Sequence, residues 1–195
     1  MSNANPASFD KPYLRDFFSQ QRQALCAEPE TKKALDREIQ ARLLISPEYR
    51  AASAVLLYMA RPSEISATMI LYAALANHKA VALPVCLPEH RMEFRRIRSL
   101  RDVAPGKFGI LEPSIECEVL IPDSDTLCVC PALACDMRGY RLGFGGGYYD
   151  RFLKDFPGMK AALCYADSLI PMIHEEAFDV KMDVIHTDSF TRTMK

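Results

Sequence analysis

Five of the chain's eight glycines fall within nine residues, at Gly139, Gly143, Gly145, Gly146 and Gly147. They belong to the stretch DMRGYRLGFGGGYYD (136–150), which follows the apolar run TLCVC (126–130) and leads into YYDRFL (148–153). That order reads as buried strand, loop and helix. Glycines in such a loop let backbone N–H groups approach an anion without Cβ obstruction, and the helix N-terminus adds a favourable dipole. Arg141 supplies a forked cation beside the loop. Asp150 is a hard oxygen ligand that suits Mg2+ next to a phosphate; it is equally an ordinary first-turn carboxylate. Of Tyr148 and Tyr149, one is expected in the core and the other at a ligand. The loop is no P-loop, because no Gly-Lys-Ser/Thr follows, and its glycines fall as G-x-G-G-G rather than G-x-G-x-x-G. Phosphate binding and a purely steric turn are both open on this pattern.

Other candidates lie outside the loop. On a helix, Lys11, Arg15 and Arg22 fall within about 40° of one another. A cation at Lys11 is opposed by the helix dipole, so these residues form either a solvated charged edge or an anion site. Glu64 follows Ser63 where a helix is expected to start, which makes it a favourable first-turn charge. It also stands just past the first strand, where open α/β sheets bind ligands. The four histidines (His78, His90, His174, His186) are scattered and read as surface or strand-end residues. Arg91, Arg95, Arg96, Arg98 and Arg101 read as a solvated face; the functional alternative is capture of a polyanionic substrate tail. The seven cysteines are odd in number and hold no C-x-x-C pair, so they read as reduced thiols packed as small hydrophobes.

The elements that must position these residues follow from periodicity. Helices are predicted over Lys11–Cys26, capped by Ser8 or Asp10, and Thr31–Leu44, closed by Pro47. Further helices are predicted over Glu64–Ala76, capped by Ser63, and Tyr148–Phe156. Short continuous apolar runs at Ala54–Met59, Ala80–Val85, Thr126–Cys130 and Lys160–Tyr165 read as strands buried on both faces. Cys86–Pro122 is expected to hold short strands and loops at one side of the sheet. Strands alternating with helices predict an α/β fold: three layers, with a mostly parallel sheet covered by helices on both faces. One domain is expected over 1–195, with residues 1–10 flexible.

Composition narrows the class. The chain has 195 residues, 24 Lys plus Arg, 25 Asp plus Glu and a formal net charge of −1. That balance argues against a protein that coats nucleic acid or an anionic membrane. No apolar run approaches the ~20 residues of a membrane span, and Met1–Ala7 lacks the basic and apolar regions of a signal peptide. A cytoplasmic protein is expected.

The stretch PALACD (131–136) with Gly139, Tyr140, Arg141 and LGFGGGYYDR (142–151) closely resembles the signature of the 5-formyltetrahydrofolate cyclo-ligase family. Weaker matches occur in order along nearly the whole chain: Lys11-x-x-Leu14-Arg15, Glu64-Ile65, Met92-x-Phe94, FGILEP (108–113), and DVKMD (179–183) followed by Thr187. The resemblance implies ATP- and Mg2+-dependent closure of 5-formyltetrahydrofolate to 5,10-methenyltetrahydrofolate, releasing ADP and phosphate. It implies ATP ligands at Lys11, Arg15, Arg141, Gly143, Gly145, Gly146, Gly147, Tyr148 and Tyr149, with Lys11 and Arg141 also catalytic. It implies folate contacts at Met59, Glu64, Phe144 and Tyr148, and metal ligands at Asp150 and Asp179, with Asp183 the alternative to Asp179. The fold of phosphosugar isomerases and CoA transferases is a further implication. A monomer is expected, and the arginine run leaves room for a polyglutamylated folate substrate. The sequence departs from the family pattern at Ala67, Ala132, Cys135, Ser168 and Phe178. The rival readings are a non-catalytic nucleotide- or RNA-binding relative and a phosphosugar isomerase.

Overall fold

The computed structural model describes residues 10–106 and 109–194. Ser8 as a cap, the flexibility expected of residues 1–9 and Phe108 of the family match lie outside the described residues.

Asp10 caps the first helix, α1 (Lys11–Cys26), by accepting from the Tyr13 N–H at 2.9 Å, and Pro12 sits in its first turn. Helix α2 spans Pro29–Leu44. Pro47 does not simply close it. The Ser46 side chain accepts from the Tyr49 N–H, and Pro47 opens a further short helix, α3 (Pro47–Ala51). Proline suits a first turn because its missing N–H would have no partner there.

The strands are β1 (Ala54–Leu56), β2 (Ala80–Cys86), β3 (Met92–Ile97), β4 (Val103–Pro105), β5 (Leu111–Pro113), β6 (Thr126–Pro131), β7 (Ala134–Asp136), β8 (Arg141–Leu142), β9 (Met159–Leu163), β10 (Leu169–Ile170), β11 (Val184–His186) and β12 (Thr191–Thr193). Helix α4 covers Thr68–Ala76 and α5 covers Tyr148–Leu153. The main sheet runs β12-β11-β9-β6-β1-β2-β3. Its five inner strands are parallel, and β3 and β12 close the edges antiparallel. A second sheet, β10-β7-β8, carries the glycine-rich hairpin, and β4 pairs with β5. The mixed α/β architecture with a large, mostly parallel sheet is as expected from the alternation of elements.

Alternate side chains of each inner strand feed opposite cores. Val55, Leu57, Val81, Leu83, Leu127 and Val129 pack with Ile39 and Leu43 of α2 and Ile70 and Leu71 of α4. Leu56, Cys128, Cys130, Ala162 and Cys164 face the other way, toward Phe94, Leu153 and Phe156. All seven cysteines are free thiols, and four are buried. Helix α1 lies on the small sheet, with Leu14 and Phe18 against Leu133, Leu142 and Ile173.

Several expectations change. Only Ala54–Leu56 of the first apolar run forms a strand, and the helix expected from Glu64 starts at Thr68. Ser63 caps nothing; residues 61–67 are a loop. Lys11 and Arg22 are buried, so they are no solvated edge. Arg22 NH2 donates to the Ala132 and Leu133 carbonyls at 2.7 and 3.2 Å, and its guanidinium lies 4.4 Å from the Tyr165 ring centre. His186, at the end of β11, is buried with its Nδ1 3.0 Å from Thr191 Oγ1. Within the arginine run, Arg95 is structural. It pairs with Glu93 at 2.6 Å and donates to the Ile115 and Cys117 carbonyls, while Arg96 stays exposed. Among the described residues, no helix is long and apolar enough to cross a membrane.

Gly158 shows how tightly β9 is fed into the sheet: a Cβ there would lie 2.0 Å from the Thr126 carbonyl oxygen. Backbone cannot yield as a side-chain tip can. Gly158→Ala should therefore cost about 1–3 kcal/mol, read as a lower urea midpoint at unchanged slope.

Candidate active site

A cavity of about 610 Å3 opens at the carboxyl ends of β1, β2 and β6, where Tyr58, Met59, Cys86 and Pro131 reach its wall. Parallel α/β sheets bind ligands at that end of their strands. Its lining includes every residue that the family resemblance implied for ATP, folate or metal apart from the alternative Asp183: Lys11, Arg15, Met59, Glu64, Arg141, Gly143, Phe144, Gly145, Gly146, Gly147, Tyr148, Tyr149, Asp150 and Asp179; Arg22 and the arginines of 91–101 do not line it. These come from α1, the loop after β1, the hairpin strand β8, the glycine loop, α5 and the segment before β11.

Buried Asp136 anchors the hairpin. Its Oδ1 accepts from the Arg138 and Tyr140 N–H groups at 2.9 Å each, and its Oδ2 from the Ile173 N–H at 3.0 Å. One carboxylate thus ties the turn before Arg141 to the segment that leads to Asp179. Beyond β8, Arg15 Nε donates to the Gly143 carbonyl at 3.1 Å, which fastens the glycine loop to α1. Gly147 then takes φ +67° to enter α5, a left-handed conformation that favours glycine.

The two cations are paired with the two candidate metal-binding carboxylates. Arg141 donates through NH1 to Asp150 Oδ1 at 2.9 Å. Lys11 Nζ donates to Asp179 Oδ2 at 2.6 Å and to Glu176 Oε2 at 2.7 Å. Phe178 backs this group, its ring centre 5.6 Å from the ammonium. Asp183 pairs with Lys160 at 2.9 Å and does not line the cavity.

Mg2+ takes one or two carboxylates and completes its shell with water and substrate phosphate, rather than needing a protein cage. The donor set fits that habit. Among the described residues no cluster of three His, Cys, Asp or Glu side chains could hold a metal alone. Asp150 Oδ2 carries no hydrogen bond among the described residues; its Oδ1 takes Arg141 and the Val180 N–H.

Two buried polar atoms on the wall, Tyr149 Oη and Arg141 Nε, have no partner among the described residues. Buried donors are normally satisfied. Burial pushes the Tyr149 phenol well above its ordinary range, so it remains a donor. At the mouth, the Arg61 guanidinium lies 4.9 Å from the Phe144 ring centre.

Glu64 is 7% exposed and accepts from the Arg61 N–H at 2.7 Å through Oε2. It is no first-turn helix charge, since α4 begins four residues later. Burial raises its pKa, and the Arg61 N–H and the Arg61, Arg22 and Lys32 charges oppose that rise without cancelling it. Sequence reasoning missed Tyr58, Arg61, Met92, Ile110, Glu176 and Phe178 on the wall. Met92 and Ile110 stood in quoted motifs, Tyr58 in a predicted strand, and Phe178 was noted only as a departure from the family pattern; no motif or periodicity marked Arg61 or Glu176.

A cavity lined by paired cations and carboxylates, a glycine loop and the buried acid Glu64, at the ends of parallel strands, has the position and polarity of a ligand site in an α/β enzyme. The profile of the 5-formyltetrahydrofolate cyclo-ligase family matches residues 7–188. The chain belongs to that family, and so to the ligases of folate one-carbon metabolism. It is 30% identical over 141 residues to a 5-formyltetrahydrofolate cyclo-ligase of Haemophilus influenzae, covering 69% of this chain and 75% of that one. It is 27% identical over 177 residues to the cyclo-ligase of Escherichia coli K12, covering 87% and 96%. The solved structure of Aquifex aeolicus 5,10-methenyltetrahydrofolate synthetase superposes with a TM-score of 0.80 at 29% identity, covering 95% and 93% of the two chains. A synthetase from Mycoplasma pneumoniae shares the fold, with a TM-score of 0.72 at 22% identity and coverage of 92% and 99%.

The raised Glu64 pKa has a definite sign. A carboxyl that holds its proton more tightly when folded loses stability as pH rises from its unfolded value, about 4.3, through its folded value. Glu64→Gln should therefore raise the melting temperature at pH 7.5 and leave it unchanged near pH 4. Equal melting-temperature changes at both pH values would show that burial of the charge is not what Glu64 costs the fold.

Proposed function

We propose that the chain closes 5-formyltetrahydrofolate to 5,10-methenyltetrahydrofolate at the expense of ATP, releasing ADP and phosphate. The observation that carries this reading is the meeting, in one cavity, of two buried cations, the glycine loop and the buried acid Glu64. A nucleotide polyphosphate suits the first two, and a pterin with its N–H donors suits the last.

The chemistry sets what the residues must do. A formamide oxygen is a poor leaving group. If the formyl oxygen attacks the γ-phosphorus, ADP leaves and the phosphorylated formyl carbon becomes electrophilic. N10 then attacks that carbon, and loss of the N10 proton and of phosphate, which carries the formyl oxygen, leaves the closed ring. Little covalent work falls to the protein, which positions the reactants and offsets developing charge. Lys11, Arg15 and Arg141 would bind the phosphates, with Lys11 and Arg141 nearest the transferred group. Gly143, Gly145, Gly146 and Gly147 would offer backbone room, and Tyr148 and Tyr149 would border the same ligand. Glu64 would bind the pterin, with Met59, Phe144 and Tyr148 as its apolar walls. Asp150 and Asp179 would hold Mg2+, which when bound offsets negative charge on phosphate oxygens. The ligand site at the carboxyl ends of parallel strands also supports kinship with phosphosugar isomerases and CoA transferases.

Methenyltetrahydrofolate absorbs in the near ultraviolet and its formyl precursor does not, so the activity is read directly. The band should grow only with ATP present. A chain that binds nucleotide or RNA without catalysis would leave the spectrum unchanged. Arg141→Ala should slow band growth and ADP release together by roughly a hundredfold or more, the scale of losing one transition-state cation or donor. Substrate carrying ¹⁸O in the formyl group should place one label in phosphate per turnover; unlabelled phosphate at full yield would overturn phosphoryl transfer. Asp150→Asn should raise the Mg2+ concentration for half-maximal rate, while far-ultraviolet circular dichroism stays as in the parent chain.

A further inference from the structure

The loop 58–67 that carries Glu64 lacks the support that usually fixes a functional side chain. Tyr58, Met59, Arg61 and Glu64 line the main cavity and also a second cavity of about 270 Å3, bounded further by Lys32, Ser66 and Thr68. Tyr58, Ile65 and Ala67 anchor the loop in the apolar core, but the stretch between them that carries Arg61 and Glu64 has space on both sides and depends on polar contacts for its position. Residues 61–67 form no helix or strand, so their N–H and C=O groups need partners from elsewhere.

Arg22, Cys26 and Tyr58 hold the Ser63, Pro62 and Ile65 carbonyls, and one face of α2 holds the backbone on either side of Ile65. Lys32, Asp36 and Gln40 stand at i, i+4 and i+8, which places them in a row. Lys32 Nζ donates to the Glu64 carbonyl at 2.8 Å and to Asp36 Oδ2 at 2.7 Å. The same Asp36 oxygen accepts from the Ser66 N–H at 3.1 Å, and Asp36 Oδ1 accepts from the Tyr165 hydroxyl at 2.6 Å. Gln40 Oε1 accepts from the Met69 N–H at 2.8 Å and its Nε2 donates to the Asp36 carbonyl at 3.1 Å. The carbonyl of Glu64 and the N–H two residues beyond it are thus held by one ion pair, between half-buried Lys32 and buried Asp36.

We propose that Lys32 and Asp36 are positioning residues that fix Glu64 against the pterin of the folate substrate. A buried ion pair is a poor device for stability alone, because an apolar pair of similar volume often serves as well or better. Here each charged group reaches past its partner to the loop backbone, which an apolar pair cannot do. Asp36 is 5% exposed, and all its oxygens' bonds go to the loop, to Lys32, to Gln40 or to Tyr165. The idea rests on the reading of Glu64 as a folate-binding residue.

Three variants and one double variant test it, with KM for the folate at saturating ATP, kcat and melting temperature measured on each. Lys32→Met releases the Glu64 carbonyl and keeps the length of the side chain. It should raise the folate KM about tenfold and change the ATP KM less than twofold. Tyr165→Phe removes a bond to Asp36 on the side away from the loop. It should lower the melting temperature while leaving the folate KM within twofold. Glu64→Gln should raise the folate KM, and Lys32→Met added to it should raise KM no further. If Glu64→Gln leaves the folate KM unchanged, the reading of Glu64 falls and the positioning role falls with it. If Glu64→Gln raises KM but Lys32→Met does not, or the two effects multiply in the double variant, the positioning role alone is overturned. Equal KM effects of Lys32→Met and Tyr165→Phe would also overturn it, reducing the network to general support of the fold.

Discussion

A cation taken out of water needs a counter-charge, and that requirement organises this molecule. Lys11 and Arg141 are 9% and 6% exposed. Neither could be buried alone at tolerable cost. Asp179 and Asp150 answer them, at 2.6 and 2.9 Å. The four residues belong to α1, the segment before β11, the small sheet and α5. Pairing them therefore draws four stretches of chain around one cavity. Before any ligand arrives the pairs leave that cavity close to neutral. An incoming phosphate must compete with carboxylates already in place, which suits a ligand that brings its own divalent cation.

The parallel sheet supplies the frame. Its inner strands are buried on both faces, so their carboxyl ends emerge at a common edge where chain leaves regular structure. Backbone at such an edge has unpaired groups and must find partners. The solutions differ around the rim. The hairpin before Arg141 turns on the fully buried Asp136, which receives three backbone N–H groups. The loop after β1 leans on Lys32, Asp36 and Gln40 of α2, and on the Tyr58 hydroxyl, which donates to the Ile65 carbonyl at 2.7 Å. In both cases a buried carboxylate replaces the missing ladder, and in both the loop so held carries a charged residue into the cavity.

Glu64 pays for its place in stability. It is buried with one backbone donor on its carboxylate, and its charge is unwelcome there. Tyr149 Oη and Arg141 Nε are unsatisfied in the same cavity. Such local conflicts are tolerated where a ligand resolves them.

The sequence by itself determined a good deal. The continuous apolar runs at 54–59, 80–85, 126–130 and 160–165 defined four of the five inner strands, because a strand buried on both faces has no polar alternation to obscure it. The glycine cluster with Arg141 and Asp150 marked the centre of the site, because local spacing carries that information. Short elements were not legible: β10, β11 and β12 have two or three residues each, too few to show a period. The start of α4 was misread because Ser63 and Glu64 imitate a helix cap, and the side chains that hold that stretch as a loop include those of α2, some thirty residues away in sequence. Tertiary structure alone decided that Lys11 faces Asp179 across 168 positions of sequence, that Glu176 shares the ammonium, and that Arg95 is tied into the fold while Arg96 is free to face solvent. Periodicity reports which face of an element is apolar. It does not report which distant charge a buried cation will meet, since that depends on where the chain returns.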